Sequence, residues 1–345
     1  PGDITKDKNG NELDGSEEHP YEIWCVEDLV EWSQNYLNYS NSYIKICRTL
    51  NFYSNYSYVN GRILDCNSIE ELKKLLTNTS GNGFTPIEKF DGVLEGNRCE
   101  IKNIYINSKN DTIGFIRNSI GGTIKDLKIS GQIIGSNNVG GILGRGSSMN
   151  INNCINNATI VGNPRDAQTN VGTGGIIGAG NAYILNSCNM GDITLGTNNS
   201  YTYVGGIIGF DSGSTIENTF NIGNLSGKCY SKGGIFGYSR NNTKTTIKNA
   251  YNLGIIDTTS RIKGEIAGGI HVYSTLELDH VYYQNENIEY IGINQGNIIG
   301  TATKLEKDYL YSQEFVDLLN SYKEDGKYPE NWLYWAIRRR RIPNF

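Results

Sequence analysis

The chain has 345 residues, of which 42 are glycine and only 19% are charged, and its formal net charge at pH 7 is −5. This balance indicates no basic face, so nucleic acid is not expected as a partner. The sequence also has no run of about 18 apolar residues, so direct insertion into a membrane is not expected. Abundant Gly and Asn beside β-branched residues instead indicate many short strands joined by tight turns.

The N-terminal part of the chain is predicted to contain a linker and a capping region. Residues 1–19 are polar and glycine-rich and are predicted to be a linker from a segment upstream. Residues 20–89 form the predicted N-terminal capping region, with an amphipathic helix in 20–38, a strand in 42–52 and a second helix in 68–78. Such a region is expected to cover the first coil of a β-stack, because an exposed stack end presents unpaired strand edges.

A repeated unit dominates the middle of the chain. The stretch VGGIIGFDSGSTIENTFNIGNLSG (204–227) recurs in clear or degenerate copies at 112–135, 139–162, 173–196, 232–256 and 267–288. When the copies are aligned, one column is always aliphatic: Ile124, Ile151, Ile184, Ile216, Ile247 and Leu278. One unit cannot bury these side chains alone, and only stacking on its neighbours buries them. We therefore predict an all-β fold, a parallel β-helix (β-solenoid) of about six to seven coils over residues 90–300.

A second column indicates how the chain turns between strands. It contains asparagine in the four clearest copies: Asn153, Asn186, Asn218 and Asn249. Asparagine tolerates positive φ, and stacked amides hydrogen-bond along a pile of strands. These four residues are therefore predicted to form a structural ladder at a corner of the coil.

The cysteines test the register of this alignment. Cys154 falls in a small or apolar column that is predicted to face the interior. Cys188 falls in the next column, which begins with Lys128 and is predicted to face water. Because adjacent strand positions point to opposite faces, no Cys154–Cys188 disulfide is expected. The sequence leaves any other cysteine pairing open.

The C-terminal part of the chain is predicted to be a second cap, residues 301–345. Within it, residues 312–337 contain a short helix pattern followed by aromatic residues. These aromatic side chains are expected to plug the end of the stack.

Few side chains of the repeat region indicate catalysis. Calcium-dependent lyases and glycoside hydrolases need clustered or paired carboxylates, and acidic residues are sparse here. Asp192 and Asn224 occupy equivalent outward positions, with no second carboxylate stacked there. His271 and His280 both fall in the last copy, where a capping or ladder role is favoured over a metal pair. No catalytic residue, metal site or cofactor is therefore predicted.

Tyrosine is the residue with the greatest binding potential, with 23 in the chain. Exposed aromatic side chains recognise proteins or sugars, although they also pack beneath loops. The candidate aromatic strip on one side of the solenoid consists of Tyr201, Tyr203, Phe220, Tyr230, Tyr238, Tyr251 and Tyr282.

The pattern G-G-I-x-G, followed by I-x-N-[CSTA]-x-N-x-G, resembles the GLUG-motif repeats of bacterial surface and secreted proteins, over roughly residues 112–288. Such repeats are found in adhesin-like proteins and in IgA-specific metalloproteases, where they are not the catalytic part. The resemblance implies an extracellular or cell-surface location in a bacterium. It implies no activity.

Three functional hypotheses follow. The favoured one is a non-catalytic β-solenoid module that acts in adhesion or ligand binding, or as a spacer. Its partner would be a host glycan or protein, or another part of the same surface protein. The alternatives are a polysaccharide lyase or glycoside hydrolase of the parallel β-helix type, and the repeat region of a larger secreted protease.

Overall fold

The computed structural model describes residues 3–52, 56–59, 62–65, 83–165, 170–197, 201–284, 287–324, 331–337 and 343–344. In this part of the chain, strands stack into a parallel β-solenoid of about six coils, which confirms the predicted fold class. Every ladder within its two stacked sheets is parallel.

A six-stranded sheet, here called the short sheet, forms one face of the solenoid. Its strands are Thr112–Ile113, Asn138–Gly140, Val171–Gly174, Thr202–Gly205, Ser231–Gly233 and Ile262–Gly264.

A 22-stranded sheet, here called the long sheet, wraps the remaining faces. Its strands are Tyr21–Ile23, Tyr43–Ile46, Leu50–Asn51, Ile87–Lys89, Val93–Asn107, Ile116–Ile120, Thr123–Gly135, Leu143–Asn152, Ile155–Gly162, Ile177–Leu185, Cys188–Asn189, Ile193–Leu195, Ile208–Asp211, Thr215–Asn221, Leu225–Ser226, Phe236–Ser239, Lys244–Asn252, Ala267–Ile270, Thr275–Tyr283, Ile291–Asn294, Asn297–Ile299 and Ala302–Lys304. Two antiparallel strand pairs lie outside these sheets, Tyr56–Val59 with Arg62–Asp65 and Ala336–Ile337 with Pro343–Asn344.

The repeated aliphatic column forms the centre of the core. Its six residues pair in register from coil to coil: Ile124, Ile151, Ile184, Ile216, Ile247 and Leu278. All six side chains are buried. The neighbouring side chains that lock this column come from the coils above and below, as expected for a solenoid.

The glycine pair of each repeat is required by close backbone contact at a corner. A Cβ atom on Gly205 would lie 1.8 Å from the carbonyl oxygen of Ile208. A Cβ atom on Gly206 would lie 2.0 Å from the carbonyl oxygen of Gly234 in the next coil. Because neither site has room for a side chain, the pair lets the short sheet and the long sheet meet at a sharp angle.

An N-terminal helix covers the first coils. Helix α1 (Val26–Gln34) begins where the Trp24 backbone N–H donates to Asp28 Oδ2 at 2.8 Å, and helix α2 (Tyr36–Tyr39) follows it. Trp32 of α1 is fully buried. Its ring packs edge-on against Phe90 and Phe115, with centroids 4.9 and 6.0 Å away. These contacts bury one face of α1 against the first coils.

The predicted linker packs onto this cap in its described part. Ile4 is fully buried in the main core. Its carbonyl accepts a hydrogen bond from Glu22 N at 3.1 Å, and Gly15 O accepts one from Tyr43 N at 2.8 Å. Residues 3–19 are therefore part of the folded N-terminal region, because burial of the apolar Ile4 side chain in the core holds this segment against it. The second predicted helix, 68–78, lies outside the described residues.

A C-terminal arm, defined as α3 (Lys307–Leu310), α4 (Gln313–Glu324) and residues 331–335, covers one side of the solenoid. It packs on the column of residues that was expected to face water. Side chains in this column do point away from the interior of the coil, but the arm buries four of them: Cys188, Phe220, Tyr251 and Tyr282. The arm thus covers a side rather than plugging the end. The column begins with the charged Lys128 and is apolar in the later coils, and a continuous apolar strip is normally covered by other parts of the protein.

Among the described helices, none is long and apolar enough to cross a membrane.

Candidate functional site

The structure divides the seven candidate aromatic residues into two groups. Phe220, Tyr251 and Tyr282 lie beneath the C-terminal arm and are at most 5% exposed. The Phe220 and Tyr251 rings stack with centroids 5.1 Å apart, and the Tyr282 and Tyr322 hydroxyls are 2.7 Å apart. This group stabilises the arm and is closed to ligands while the arm is docked.

Tyr203, Tyr230 and Tyr238 form a ring cluster with Phe210. Tyr201 lies two residues before Tyr203 in the chain. We call these five residues the tyrosine face. Tyr203 lies on the short-sheet strand Thr202–Gly205. Phe210 and Tyr238 occupy paired positions on adjacent long-sheet strands. The corner between the two sheets therefore brings these rings together.

Ring contacts hold the tyrosine face rigid. Tyr203 stacks on Phe210 and on Tyr238, with centroids 5.2 and 4.9 Å away. Tyr230 meets Tyr203 edge-on at 5.7 Å and remains 39% exposed, while Tyr201 is 50% exposed. Aromatic side chains that are already packed lose little conformational entropy when a partner binds.

Two hydroxyls of the tyrosine face, those of Tyr203 and Tyr238, lie in partly buried surroundings. Burial, with a smaller effect of the Tyr238 and Tyr230 hydroxyls, raises the pKa of Tyr203 to about 12. Tyr238 Oη donates to Gln295 Oε1 at 3.3 Å, and the His271 ring packs edge-on against Tyr238 at 6.0 Å. The Tyr203 hydroxyl thus stays protonated at neutral pH, which suits binding through apolar contact and hydrogen bonds.

The four predicted ladder residues lie at a coil corner with φ between 48° and 52°: Asn153, Asn186, Asn218 and Asn249. Asn249 Nδ2 donates to Asn218 Oδ1 at 2.9 Å, and Asn218 Nδ2 donates to Asn186 Oδ1 at 2.7 Å. Asn186 Nδ2 donates instead to Asn152 Oδ1 at 3.1 Å, so this outer ladder is interrupted before Asn153.

The outer ladder also binds the C-terminal arm. Asn186 Nδ2 donates to Asn331 O, and Asn186 Oδ1 accepts from Leu333 N, both at 2.9 Å. Asn218 Nδ2 donates to Leu333 O at 3.0 Å. One asparagine column therefore fixes the corner of the coil and holds an extended segment of the arm by its backbone.

A second column of asparagines was missed as a ladder. This inner ladder is fully buried and consists of Asn156, Asn189, Asn221 and Asn252. Each Nδ2 donates to the next Oδ1 at 2.7–2.8 Å, and Asn252 Nδ2 ends the series on Glu265 Oε2 at 2.9 Å. The recurring N-x-G of the repeat was the available signal, since each of the last three amides also bonds the glycine two residues later.

Buried carboxylates have structural partners. Burial raises the pKa of Asp211, and its carboxylate accepts hydrogen bonds from Ser214 Oγ at 2.5 Å and from Thr245 Oγ1. Glu217 Oε2 accepts from Trp332 Nε1 at 3.3 Å. A perturbed acid can mark an active site, but Asp211 is 0% exposed and beyond the reach of a substrate.

The remaining candidate residues do not converge. His271 contacts the tyrosine face, whereas His280 stacks on Tyr322 of the arm with centroids 3.5 Å apart. Asn224 N donates to Asp192 Oδ1 at 2.9 Å, so that carboxylate supports the neighbouring coil. Within the described ranges, no group of three or more His, Cys, Asp or Glu side chains is placed to hold a metal ion.

The cysteines occupy the faces that the alignment assigned to them. Cys154 is in the main core, while Cys188 lies outside the coil beneath the arm. The six cysteines of the described residues are all free thiols. Burial raises the pKa of Cys154 to about 12 and also raises that of Cys188. Neither thiol is therefore a nucleophile in the folded protein.

The fold is similar to that of a proposed immunoglobulin A1 protease from Bacteroides ovatus, seen in a crystal structure. The two chains superpose with a TM-score of 0.62 at 17% identity, over 97% of this chain and 94% of that one. At this identity the similarity establishes a common fold. No family model matches the sequence, so none supports the resemblance to GLUG repeats. No curated protein matches it either.

Proposed function

We propose that this chain is a non-catalytic β-solenoid module of a bacterial cell-surface or secreted protein, which binds a host protein or glycan through the tyrosine face. The observation that carries the proposal is the packed ring cluster around Tyr203, in which Tyr230 remains 39% exposed, with the 50% exposed Tyr201 two residues before Tyr203 in the chain. Packed aromatic residues with exposed neighbours are typical centres of binding surfaces.

The location rests on two further arguments. The repeat resembles GLUG-motif repeats of extracellular bacterial proteins, and a chain of similar fold comes from a bacterium and is named as a proposed immunoglobulin A1 protease. Buried, unpaired thiols such as Cys154 and Cys188 are compatible with that environment, because burial protects them from oxidation.

The test is a binding screen of the protein against arrays of host proteins and glycans. A ligand should be found, and replacing both Tyr201 and Tyr230 by alanine should weaken it at least tenfold. The matched control is Tyr334→Ala, because Tyr334 is 54% exposed but lies on the arm. If no array ligand binds, or if the control variant has the same effect as the double variant, the tyrosine face is not the binding surface.

A second candidate is favoured by the name of the structural neighbour. The chain would then be the repeat region of a larger secreted protease, with the catalytic domain elsewhere in the same protein. The complete reading frame decides this: a metalloprotease motif outside the repeats supports it, and a frame without any protease domain rejects it.

A further inference from the structure

A groove runs along the solenoid beside the C-terminal arm and shares no residue with the tyrosine face. It consists of two adjoining clefts of about 410 and 420 Å³, which have Leu253 in common. Met190, Ile222 and Leu253 form its floor, one from each of three successive coils. These residues are half-buried and pack against the apolar cluster beneath the arm. We call this feature the arm groove; each cleft is as large as a typical ligand pocket.

The outer edge of the arm groove is polar along the first cleft, and the equivalent position in the second cleft is the exposed Ile255. Asp192 and Asn224 occupy equivalent positions, and both are exposed. Asp192 Oδ1 accepts from Asn224 N at 2.9 Å, and Asn224 Oδ1 accepts from Ile255 N at 3.0 Å. These bonds fix both side chains. Within the described part of the chain, Asp192 Oδ2 and Asn224 Nδ2 make no hydrogen bond and remain directed to solvent or ligand.

The opposite wall belongs to the arm. Tyr311 lines the first cleft and packs against the same apolar cluster, while Glu306 and Lys307 line the second. The charged residues that line the groove are thus Asp192, Glu265, Glu306 and Lys307, of which Glu265 is almost fully buried, and their balance is negative. A ligand with repeated carboxylates would be repelled from the middle of the groove.

We propose that the arm groove binds an extended, uncharged oligosaccharide. Coils repeat at about 4.8 Å, which is close to the length of one sugar residue in an extended glycan. The C–H faces of successive sugars would lie on Met190, Ile222 and Leu253. Their hydroxyl groups would donate to Asp192 Oδ2 and accept from Asn224 Nδ2, so that each of these two coils binds about one sugar.

The proposal can be tested by calorimetric titration of the whole chain with cellotetraose, mannotetraose and tetra-N-acetylchitotetraose, their disaccharides, and tetragalacturonate. We expect at least one neutral tetrasaccharide to bind, at least tenfold more tightly than its disaccharide and than tetragalacturonate. Asp192→Ala and Tyr311→Ala should each weaken this binding at least tenfold. Tyr230→Ala, on the tyrosine face, should leave it unchanged.

Asp192→Asn is the control for misfolding of Asp192→Ala, because the amide oxygen of the new asparagine can still accept the hydrogen bond from Asn224 N. It should bind the neutral tetrasaccharide within about threefold of the wild type and discriminate less against tetragalacturonate. The proposal is overturned if none of the neutral tetrasaccharides binds, or if tetragalacturonate binds more tightly than they do. It is also overturned if Tyr230→Ala, rather than Asp192→Ala, abolishes binding, a result that would assign the glycan to the tyrosine face.

Discussion

Replacing Asn221 by alanine should show how strongly the inner ladder stabilises the solenoid. Asn221 makes four hydrogen bonds in the core. Its Nδ2 donates to Gly223 O at 3.0 Å and to Asn252 Oδ1 at 2.8 Å. Its Oδ1 accepts from Gly223 N at 3.2 Å and from Asn189 Nδ2 at 2.8 Å. The side chain is 0% exposed, so water cannot replace these partners.

The expected cost follows from the partners that would be left without a bond. Asn189 Nδ2 keeps Gly191 O as an acceptor, and Asn252 Oδ1 keeps Gly254 N as a donor. The N–H and C=O of Gly223 lose their partner in the ladder. At about 1–3 kcal/mol for each buried unsatisfied group, Asn221→Ala should lower the free energy of unfolding by roughly 2–6 kcal/mol.

Urea unfolding followed by far-UV circular dichroism measures this change. The matched control is Asn157→Ala, because Asn157 is exposed and lies just outside the ladder; its effect should stay within about 0.5 kcal/mol. Asn221→Asp should destabilise the protein more than Asn221→Ala at pH 7, because burial raises the folded-state pKa of the new carboxyl. This loss of stability should decrease as the pH falls toward the unfolded-state pKa of about 4. A loss below about 1 kcal/mol for Asn221→Ala, or one equal to the control, would refute the structural role of the ladder.

Three further predictions concern the corner, the arm and the thiols. Gly206→Ala should lower the free energy of unfolding by about 1–3 kcal/mol, because its Cβ would lie 2.0 Å from Gly234 O; thermal unfolding measures this. Trp335→Ala should cost about 3–5 kcal/mol and speed proteolysis of the arm, because Trp335 is 3% exposed in the aromatic cluster. Cys154 and Cys188 should resist iodoacetamide at pH 8 until the protein unfolds, and a non-reducing mass map should show no link between them.

Matched variants sharpen these three tests. Gly121→Ala should cost only about 1 kcal/mol, because its φ is +71° but no atom lies within 4 Å of its Cβ position. Tyr334→Ala should speed proteolysis much less than Trp335→Ala, because that ring is 54% exposed and its contact is with Lys323 at the surface of the arm. Cys99, which is only half-buried, should be alkylated before Cys154. Equal effects within any of these pairs would contradict the corresponding reasoning.

The interior of the solenoid could be predicted from the sequence because it repeats. Ile124 and its five equivalents recur at the coil period, and no local structure other than a stack explains six aliphatic residues in one column. The faces of Cys154 and Cys188 followed from the same alignment, since neighbouring positions on a strand alternate.

The arm could not be placed in the same way, because it follows the last repeat and has no equivalent within the stack. The column that it covers begins with Lys128, and a lysine predicts a solvent-exposed position. The same column ends with Tyr282, which is 5% exposed beneath the arm. Assigning one environment to the whole column therefore predicts solvent exposure for residues in its second half that are in fact buried. The change from a charged to an aromatic residue along the column was the available signal.

The two asparagine columns differ in a way that the sequence conceals. Asn218 has φ of 50° and an amide that reaches the arm, whereas Asn221 is not among the described residues with positive φ and bonds within the core. Asparagine is a common turn residue, so the sequence alone favours the backbone explanation for both. Only the stacking distance shows that the inner amides bond to one another.

The same stacking also sets what the surface of the molecule can recognise. The corners of successive coils lie about 4.8 Å apart. Residues at equivalent positions of successive coils therefore form a line parallel to the solenoid axis. Asn186, Asn218 and Asn249 form such a line, and the arm occupies it. Met190, Ile222 and Leu253 form another line beside it, which the arm leaves open. Residues 331–335 of the arm, which are extended, follow the line of asparagines, and the ligand proposed for the arm groove would follow the second line in the same way.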